Sequence, residues 1–297
     1  MALSGGYDTR ILAFRLGRAP AELSGRLVLR LLRERHDPAR VLKEKAVHDA
    51  LQRLAYSAPA VFLAETDTSH LGGAFLIMER IPGAPLPEKQ KFNIGGVVAR
   101  LQAQLHALSP AHLLNNSEGW PFSVDWHRRR LAEQVDSDLE GLRGAMEWLL
   151  RHIPPDEEPE VICHGDFHPY NILTDGSQVT SVIDWPNAVV GPAVFDVATT
   201  LTILRYTQPA NPTLALRLAS LARPLLVRRY LGSYGRLSGT DLGHLAYYEA
   251  LACMRGLVLE GQRRLSGERI DEASPWNAGG LIRRVREITG ITASLPA

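Results

Sequence analysis

Residues 164–173 read HGDFHPYNIL, and residues 182–185 read VIDW. In these segments Asp166, Asn171 and Asp184 stand at the ends of short apolar runs with strand character, which places their oxygen atoms at loop edges. A single loop aspartate is usually a solvated turn residue, but three oxygen donors at adjacent strand ends suit a hard cation. Because Mg²⁺ takes one or two carboxylates together with phosphate oxygens and water, we predict a site for Mg²⁺ and a phosphate compound.

The chain around these segments changes from strand-like to helical character. The predicted strands are Ile11–Leu16, Leu27–Leu32, Val61–Ala64, Ala74–Met78, Val161–Cys163, Asn171–Leu173 and Thr180–Ile183. The predicted helices are Pro38–Ala55, Val97–Leu108, Val124–Val135, Leu139–Arg151, Phe195–Tyr206, Leu214–Tyr230, Asp241–Arg264 and Gly279–Ile288. Proline clusters within 81–91, which marks a connector. We predict an α+β protein with a small strand-rich N-terminal lobe at 1–78, a connector at 79–91 and a larger, mainly helical lobe at 92–297.

Composition excludes several classes of protein. The 297 residues carry 33 Lys and Arg against 32 Asp and Glu, a net charge of +1, which argues against a nucleic-acid binder. The two cysteines, Cys163 and Cys253, can form neither a disulfide framework nor a four-cysteine metal site. No apolar run approaches the roughly 18 residues of a membrane span, and Met1–Arg10 lacks a secretory signal pattern. We expect a cytoplasmic protein without nucleic-acid or membrane partners, in an oligomeric state that stays open.

Residues 164–171 resemble the catalytic loop of protein kinases, whose pattern is H-R-D-L-x-x-x-N. Gly165 replaces the arginine of that pattern, and Asp184-Trp185 stands where protein kinases have the first two residues of Asp-Phe-Gly. A glycine at this place is typical of the aminoglycoside phosphotransferase family, and residues 191–198, GPAVFDVA, resemble the segment that follows in that family. The chain therefore resembles these small-molecule kinases, and the resemblance implies a two-lobed protein-kinase-like fold.

The first lobe carries further features of the resemblance. Residues 3–9 contain Gly5 and Gly6 and are similar to the family's glycine-containing phosphate loop. Arg30 stands where the family has a phosphate-anchoring lysine, and Glu44 stands at the place of that lysine's partner in the following helix. Arginine pairs well with both phosphate and carboxylate, so the resemblance implies that Arg30 anchors the nucleotide.

The connector begins with a segment similar to the family's hinge. Residues 78–83 read MERIPG, and the resemblance implies that the backbone of Glu79 and Ile81 bonds adenine. At the other end of the lobe, only Ala2 and Leu3 precede the glycine turn. We therefore expect the lobe's usual first strand to be almost absent.

The resemblance implies an ATP-dependent phosphotransferase that moves the γ-phosphate to a hydroxyl of a small molecule. Asn171 and Asp184 would hold Mg²⁺, and Asp166 would orient the acceptor hydroxyl and take its proton. His168 would donate to a phosphoryl oxygen or, alternatively, would only shape the loop with Pro169. The acceptor stays open among aminoglycoside-, macrolide-, choline- and sugar-like compounds.

Two other functions also fit parts of the sequence. His164, Asp166 and His168 alternate, so on a strand they would share one face and could bind a transition metal, as in a metallohydrolase. A catalytically dead kinase-like module would bind a ligand without turnover, although Asp166, Asn171 and Asp184 together argue against it. We expect a structural role for His164 and loop-bracing hydrogen bonds from Asp196. For Arg255, core packing or surface exposure is the favoured interpretation.

Overall fold

The structure is a computed structural model that describes residues 9–33, 37–90, 93–114, 123–155, 159–208, 221–266 and 274–296. Within these ranges the chain forms two compact units. The first takes its residues from Met1–Phe92, Ala111–Gly119 and Pro169–Ala188, and the second from Asn93–Pro110, Trp120–His168 and Val189–Ala297. The lobe boundaries drawn from the sequence at 1–78, 79–91 and 92–297 stay a prediction.

The first unit contains an antiparallel sheet whose four strands follow the predicted apolar runs. The strands are β1 (Thr9–Phe14), β2 (Leu27–Leu32), β3 (Val61–Glu65) and β4 (Phe75–Glu79), in the order β1-β2-β4-β3. Helix α1 (Arg40–Arg53) lies between β2 and β3 in the chain, as predicted. The sheet and α1 share a small apolar core of Leu32, Val41, Val61, Ala74 and Leu76. Burial of these aliphatic side chains fixes α1 against the sheet.

A second, three-stranded sheet of the first unit places the residues of the quoted segments. Its strands are β5 (Ala84–Pro85), β7 (Ile172–Thr174) and β8 (Val179–Val182), in the order β5-β7-β8. Because β7 and β8 are antiparallel, with Ile172 opposite Val182, the start of β7 adjoins the end of β8. Asn171 and Asp184 therefore occupy adjacent strand ends, as predicted. The unit also contains two short helices, α2 (Leu86–Lys89) and α4 (Ala111–Leu114), and two 3₁₀ turns, Ala21–Leu23 and Pro169–Asn171.

The second unit is mainly helical and surrounds one pair of strands. Its helices are α3 (Ile94–His106), α5 (Val124–Asp138), α6 (Arg143–Arg151), α7 (Ala193–Tyr206), α8 (Arg223–Ser238), α9 (Leu245–Leu265) and α10 (Ala278–Thr289). Strand β6 (Glu160–Cys163) pairs antiparallel with β9 (Val189–Pro192). The core is formed chiefly by α5, α6, α7 and α9, with Phe195, Leu251 and Leu257 fully buried in it. Burial of this helical core holds β6 and the loop that follows it.

One predicted helix lies partly outside the described residues. The apolar pattern predicts a helix over Leu214–Tyr230; its first seven residues are not described, residues 221–222 form a turn, and α8 begins at Arg223. Pro224 falls in its first turn, where the missing N–H of proline costs nothing, while the predicted bounds would have put it in the helix interior. Residues 209–220 lie outside the described part of the chain. Strand β9 was not predicted, because Gly191 and Pro192 are read as turn residues in a sequence.

Two of the compositional expectations can be compared with the structure. In the residues that are described, no helix combines the length and the apolar character needed to cross a membrane. Cys163 and Cys253 are both buried free thiols.

Candidate active site

A three-member ion-pair cluster links the two sheets of the first unit. Nη1 of Arg30, on β2, lies 2.8 Å from Oε1 of Glu44, on α1, and 2.8 Å from Oδ1 of Asp184, after β8. The Glu44 side chain is 4% exposed, that of Arg30 13% and that of Asp184 41%. The predicted pairing of Arg30 with Glu44 is present, whereas the contact with Asp184 was not predicted.

Charge and burial act against each other in this cluster. Burial would lower the pKa of Arg30, but the carboxylates of Glu44 and Asp184 hold it above its ordinary value. Burial and the nearby charge of Asp184 raise the pKa of Glu44, although Arg30 opposes them. Glu44 therefore depends on Arg30 for its charge compensation. The outer member, Asp184, is the one that solvent and a ligand can reach.

The backbone at Asp184 adopts an unusual conformation. Its φ is +71°, in the left-handed region that residues other than glycine rarely occupy. The neighbouring Ile183 donates its N–H to the carbonyl oxygen of Asn171, at 2.9 Å, and so ties the turn to β7. Left-handed backbone at non-glycine residues concentrates at ligand sites, where the surrounding structure supports its cost.

The donor set of this cluster fits a nucleotide phosphate with Mg²⁺. Nε of Arg30 is buried and has no hydrogen-bond partner among the described residues, so it can donate to a phosphate oxygen. The exposed carboxylate of Asp184 offers the hard oxygen that Mg²⁺ takes. Asn171, which is 8% exposed at the start of β7, carries an amide oxygen beside the same strand ends.

The predicted adenine-binding residues lie at the end of β4. Glu79 is the last residue of that strand, and its N–H donates to the carbonyl oxygen of Ala60 at 2.8 Å. Ile81 is the residue after Arg80. The N–H of Arg80 donates to the carbonyl oxygen of Arg26 at 3.0 Å. The chain here is thus anchored on both sides by backbone hydrogen bonds. Gly5 and Gly6, the predicted phosphate loop, lie outside the described residues.

In the second unit, Asp196 braces the loop that carries Asp166. Its Oδ1 accepts the N–H of Gly165 at 2.6 Å, and its Oδ2 accepts the N–H of His164 at 3.1 Å. Asp196 is fully buried at the start of α7. The predicted bracing role of Asp196 is confirmed. His164 is also fully buried, and its Nδ1 accepts the N–H of Asp166 at 3.2 Å, in agreement with a structural role.

Two polar side chains of α3 contact Asp196, and the sequence did not predict these contacts. Nε2 of Gln102 donates to Oδ2 of Asp196 at 2.9 Å, and Nε2 of His106 lies 3.1 Å from the same oxygen. Nδ1 of His106 lies 2.7 Å from the hydroxyl oxygen of Tyr234 on α8. The spacing of Gln102 and His106, four residues apart on one helix face, is the sequence signal that could have linked them. Burial would raise the pKa of Asp196, but His106, His164 and Gln102 hold it below its ordinary value.

Asp166 itself is accessible and lies beside basic side chains. Its side chain is 30% exposed, and its Oδ2 lies 3.7 Å from Nε2 of His168, a separation too long for a hydrogen bond. Burial would raise the pKa of Asp166, but His168, His164 and Arg255 hold it below its ordinary value. Asp166 is therefore a carboxylate at neutral pH, as a proton acceptor must be.

The metallohydrolase alternative has no matching geometry. The described residues contain no group of three His, Cys, Asp or Glu side chains placed to hold a metal ion. His164, which that alternative needs as a ligand, is fully buried and bonded to the backbone of Asp166.

Comparisons with known proteins identify the family. A family model described as the phosphotransferase enzyme family (APH) matches residues 2–234. An aminoglycoside 3'-phosphotransferase of Streptomyces fradiae is 30% identical over 191 residues, which cover 60% of this chain and 67% of that protein. An acyl-CoA dehydrogenase family member 11 of Pongo abelii is 27% identical over 175 residues, or 52% of this chain, and the match spans 22% of that relative's length.

The fold has solved counterparts. A thermostable mutant of aminoglycoside phosphotransferase APH(4)-Ia, in ternary complex with ADP and hygromycin B, has a TM-score of 0.62 and 18% identity, covering 99% of this chain and 94% of that one. At this identity the likeness shows the fold, and it confirms the predicted α+β, protein-kinase-like class. Because the family model covers more than half of the 297 residues, the chain belongs to the phosphotransferase enzyme family.

Proposed function

We propose that this enzyme transfers the γ-phosphate of ATP to a hydroxyl group of a small molecule. The observation that carries the proposal is the bridge in which Arg30 bonds both Glu44 and Asp184 at 2.8 Å. It joins a cation suited to phosphate with a carboxylate suited to Mg²⁺. The ADP-bound neighbour, which shares the fold, supports a nucleotide as the donor.

The first unit supplies the groups that bind the nucleotide. Arg30, compensated by Glu44, holds the phosphate oxygens with the N–H groups that its carboxylate partners leave available. The carbonyl of Glu79 and the amide of Ile81 bond the adenine edge. Asn171 and Asp184 would hold Mg²⁺, which would supply positive charge against the phosphoryl oxygens. The resemblance assigns the phosphate loop to Gly5 and Gly6, which lie outside the described residues.

The second unit supplies the proton acceptor. The acceptor oxygen attacks the γ-phosphorus, the bond from that phosphorus to the β,γ-bridging oxygen breaks, and ADP leaves. Asp166 orients the hydroxyl and takes its proton, because its lowered pKa keeps it ionised. Asp196 fixes the backbone before Asp166 through two hydrogen bonds, so the carboxylate is oriented before the acceptor arrives. His168, 3.7 Å from Asp166, donates to a phosphoryl oxygen.

For the acceptor we propose the aminoglycoside-like class first, with macrolide-, choline- and sugar-like alcohols as the alternatives. The Streptomyces relative and the hygromycin B complex favour that class. We further propose that the enzyme acts in the cytoplasm, where ATP is abundant and thiols such as the buried Cys163 and Cys253 stay reduced. No nucleic-acid or membrane partner is part of the proposal.

The test is acceptor-dependent release of ADP. The purified enzyme is incubated with MgATP and a panel that contains members of all four acceptor classes, beside the Asp166→Asn variant. We expect ADP release that rises with at least one acceptor and is lost in the variant, with phosphate recovered on the acceptor. Nucleotide binding without turnover on any acceptor would favour the dead binding module. ADP release that Asp166→Asn leaves unchanged would overturn the assignment of the base.

A further inference from the structure

Arg255, on α9, contacts the loop that carries Asp166. Its Nη1 donates to the carbonyl oxygen of Gly165 at 3.0 Å, across 90 residues of sequence. The next amide along the chain, that of Asp166, donates to Nδ1 of His164 at 3.2 Å. These two bonds involve the oxygen and the N–H of one peptide group, the Gly165–Asp166 peptide. Together they fix the plane of that peptide on both sides, and with it the direction in which the Asp166 side chain leaves the backbone.

The Gly165–Asp166 peptide needs this restraint because its first residue is a glycine. Gly165 has φ +73°, a conformation that glycine adopts at little cost and that other residues rarely adopt. Glycine also leaves the chain more conformational freedom than any other residue, so its position is determined by its hydrogen bonds. The N–H of Gly165 is bonded to Asp196 at 2.6 Å, and its carbonyl group is bonded to Arg255.

Arg255 also brings a guanidinium, which stays charged at neutral pH, to a loop whose own basic side chains are the histidines His164 and His168. The protein-kinase pattern has an arginine at the position of Gly165, which cannot carry charge. Here the guanidinium comes from a distant helix. Burial lowers the pKa of Arg255, while Asp166 and Asp196 oppose that effect, and arginine stays charged at neutral pH in any case. The basic side chains that lower the pKa of Asp166 are thus His168 and His164 from its own loop and Arg255 from α9.

We propose that Arg255 is a positioning residue of the transfer reaction: it orients Asp166 by holding the Gly165–Asp166 peptide and places a permanent positive charge beside the base. This inference rests on the proposed function, since it assigns Asp166 the role of base. A purely structural role would stabilise the fold without changing the ionisation of Asp166.

The same helix offers a matched control. Arg263 is also on α9, but it pairs with Glu260 through Nε at 3.0 Å and Nη2 at 2.9 Å. Arg263→Met removes a guanidinium from α9 without touching the loop. Arg255→Met removes both the hydrogen bond and the charge, and Arg255→Lys keeps the charge but loses the planar donor group.

The activity test compares kcat, the acceptor KM and the pH profile of the three variants with those of the wild type. We expect Arg255→Met to lower kcat by about 10- to 10²-fold, since small misplacement of a catalytic group costs this much, with unchanged affinity for MgATP by calorimetry. Loss of the cation raises the pKa of Asp166, so the acidic limb of kcat/KM should move to higher pH. Arg255→Lys should keep the acidic limb and lose part of kcat, and Arg263→Met should behave as wild type.

A second measurement does not depend on activity. Carbon-13 NMR of labelled aspartate carboxyl groups, with Asp166→Asn to assign the resonance, follows the titration of Asp166 directly. We expect its midpoint to move up in Arg255→Met and to stay in place in Arg263→Met. An unchanged midpoint, or a kcat equal to that of Arg263→Met, overturns the inference. If Arg255→Met fails to fold in a thermal melt, Arg255→Lys decides: a wild-type kcat rejects the role, and a lowered kcat with an unmoved acidic limb supports it. In a further outcome, the wild type shows no acceptor-dependent ADP release while the Asp166 midpoint still moves in Arg255→Met. That result rejects the proposed function but keeps the effect of the Arg255 charge on Asp166.

Discussion

Nη1 of Arg30 lies 2.8 Å from Oδ1 of Asp184, so the proposed phosphate anchor and the proposed Mg²⁺ ligand form one ion pair. The two residues are 154 positions apart and come from different sheets of the same unit. Because Glu44 also pairs with Nη1 of Arg30, the guanidinium keeps a carboxylate partner when Asp184 turns away. The cluster therefore holds both groups in place while allowing the carboxylate to turn toward a cation.

Asp184→Ala should remove the Mg²⁺-dependent part of nucleotide affinity. The variant loses a carboxylate ligand, while Arg30 retains Glu44 as a partner and can still hold phosphate. Calorimetric titration with ATP, in the presence and absence of Mg²⁺, measures the difference. Glu88→Ala, which removes an exposed carboxylate on α2 of the same unit, is the control and should bind as wild type. Equal affinities for MgATP in wild type and Asp184→Ala would place the metal ligand elsewhere.

Arg30→Met should destabilise the protein by about 3–5 kcal/mol, because it leaves the buried charge of Glu44 uncompensated. The pKa of Glu44 is already raised by burial, and loss of Arg30 raises it further. A carboxyl group whose folded pKa exceeds its unfolded pKa favours the folded state as pH falls, so the destabilisation should shrink in acid. Urea unfolding at neutral and acidic pH measures both effects.

Arg30→Lys and the double variant with Glu44→Gln complete this test. Lysine keeps the charge, so it should lose less stability than methionine. Glu44→Gln removes the buried carboxylate at position 44. In that background, Arg30→Met should therefore lower the free energy of unfolding by less than it does in the wild type. If Arg30→Met lowers the free energy of unfolding equally with Glu or Gln at position 44, the two residues are not coupled.

Local patterns in the sequence were enough to predict most secondary structure and part of the site. The strands around Arg30 and the ends of β7 and β8 follow from short apolar runs bounded by turn residues, and the bracing role of Asp196 followed from the family resemblance. The contact of Arg30 with Asp184 and that of Arg255 with Gly165 span 154 and 90 residues. Such contacts depend on tertiary packing, which no spacing in one sequence encodes.

Asp196→Asn should destabilise the second unit by about 1–3 kcal/mol, since the fully buried carboxylate accepts several hydrogen bonds that an amide cannot all replace. The pKa of Asp196 is lowered in the folded state, so its contribution is present above the unfolded pKa and is lost as pH falls through the folded pKa. The difference between wild type and variant should therefore be largest near neutral pH and smaller in strong acid. Urea unfolding at both pH values measures it. Asp136→Asn, on the exposed face of α5, should leave stability unchanged.

Asp166→Asn should lower the transfer rate by about 10²–10⁴-fold, the range expected for loss of a general base. Its affinity for MgATP should stay within error of wild type, because the base acts on the acceptor hydroxyl. Steady-state ADP release and calorimetric titration on the same preparation give the two numbers. A variant that keeps its transfer rate, or one that loses nucleotide affinity in the same proportion, would contradict the role given to Asp166.

His168 should act through its charge, and two substitutions separate charge from shape. Nε2 of His168 lies 3.7 Å from Oδ2 of Asp166, so the imidazole stands beside the proposed base. Lysine keeps its charge at alkaline pH and histidine does not. We therefore expect His168→Lys to retain transfer and to flatten any alkaline loss of kcat, while His168→Gln is slow at every pH.

The alternative is that His168 only shapes the loop, because Pro169 restricts the backbone of His168 just before the 3₁₀ turn Pro169–Asn171. In that case glutamine, which is neutral and similar in length, should support transfer about as well as lysine. Steady-state rates for both variants from neutral to alkaline pH, with thermal melts to confirm folding, distinguish the two roles. A His168→Gln variant as fast as His168→Lys removes His168 from the catalytic groups and leaves Asp166 to act beside the guanidinium of Arg255.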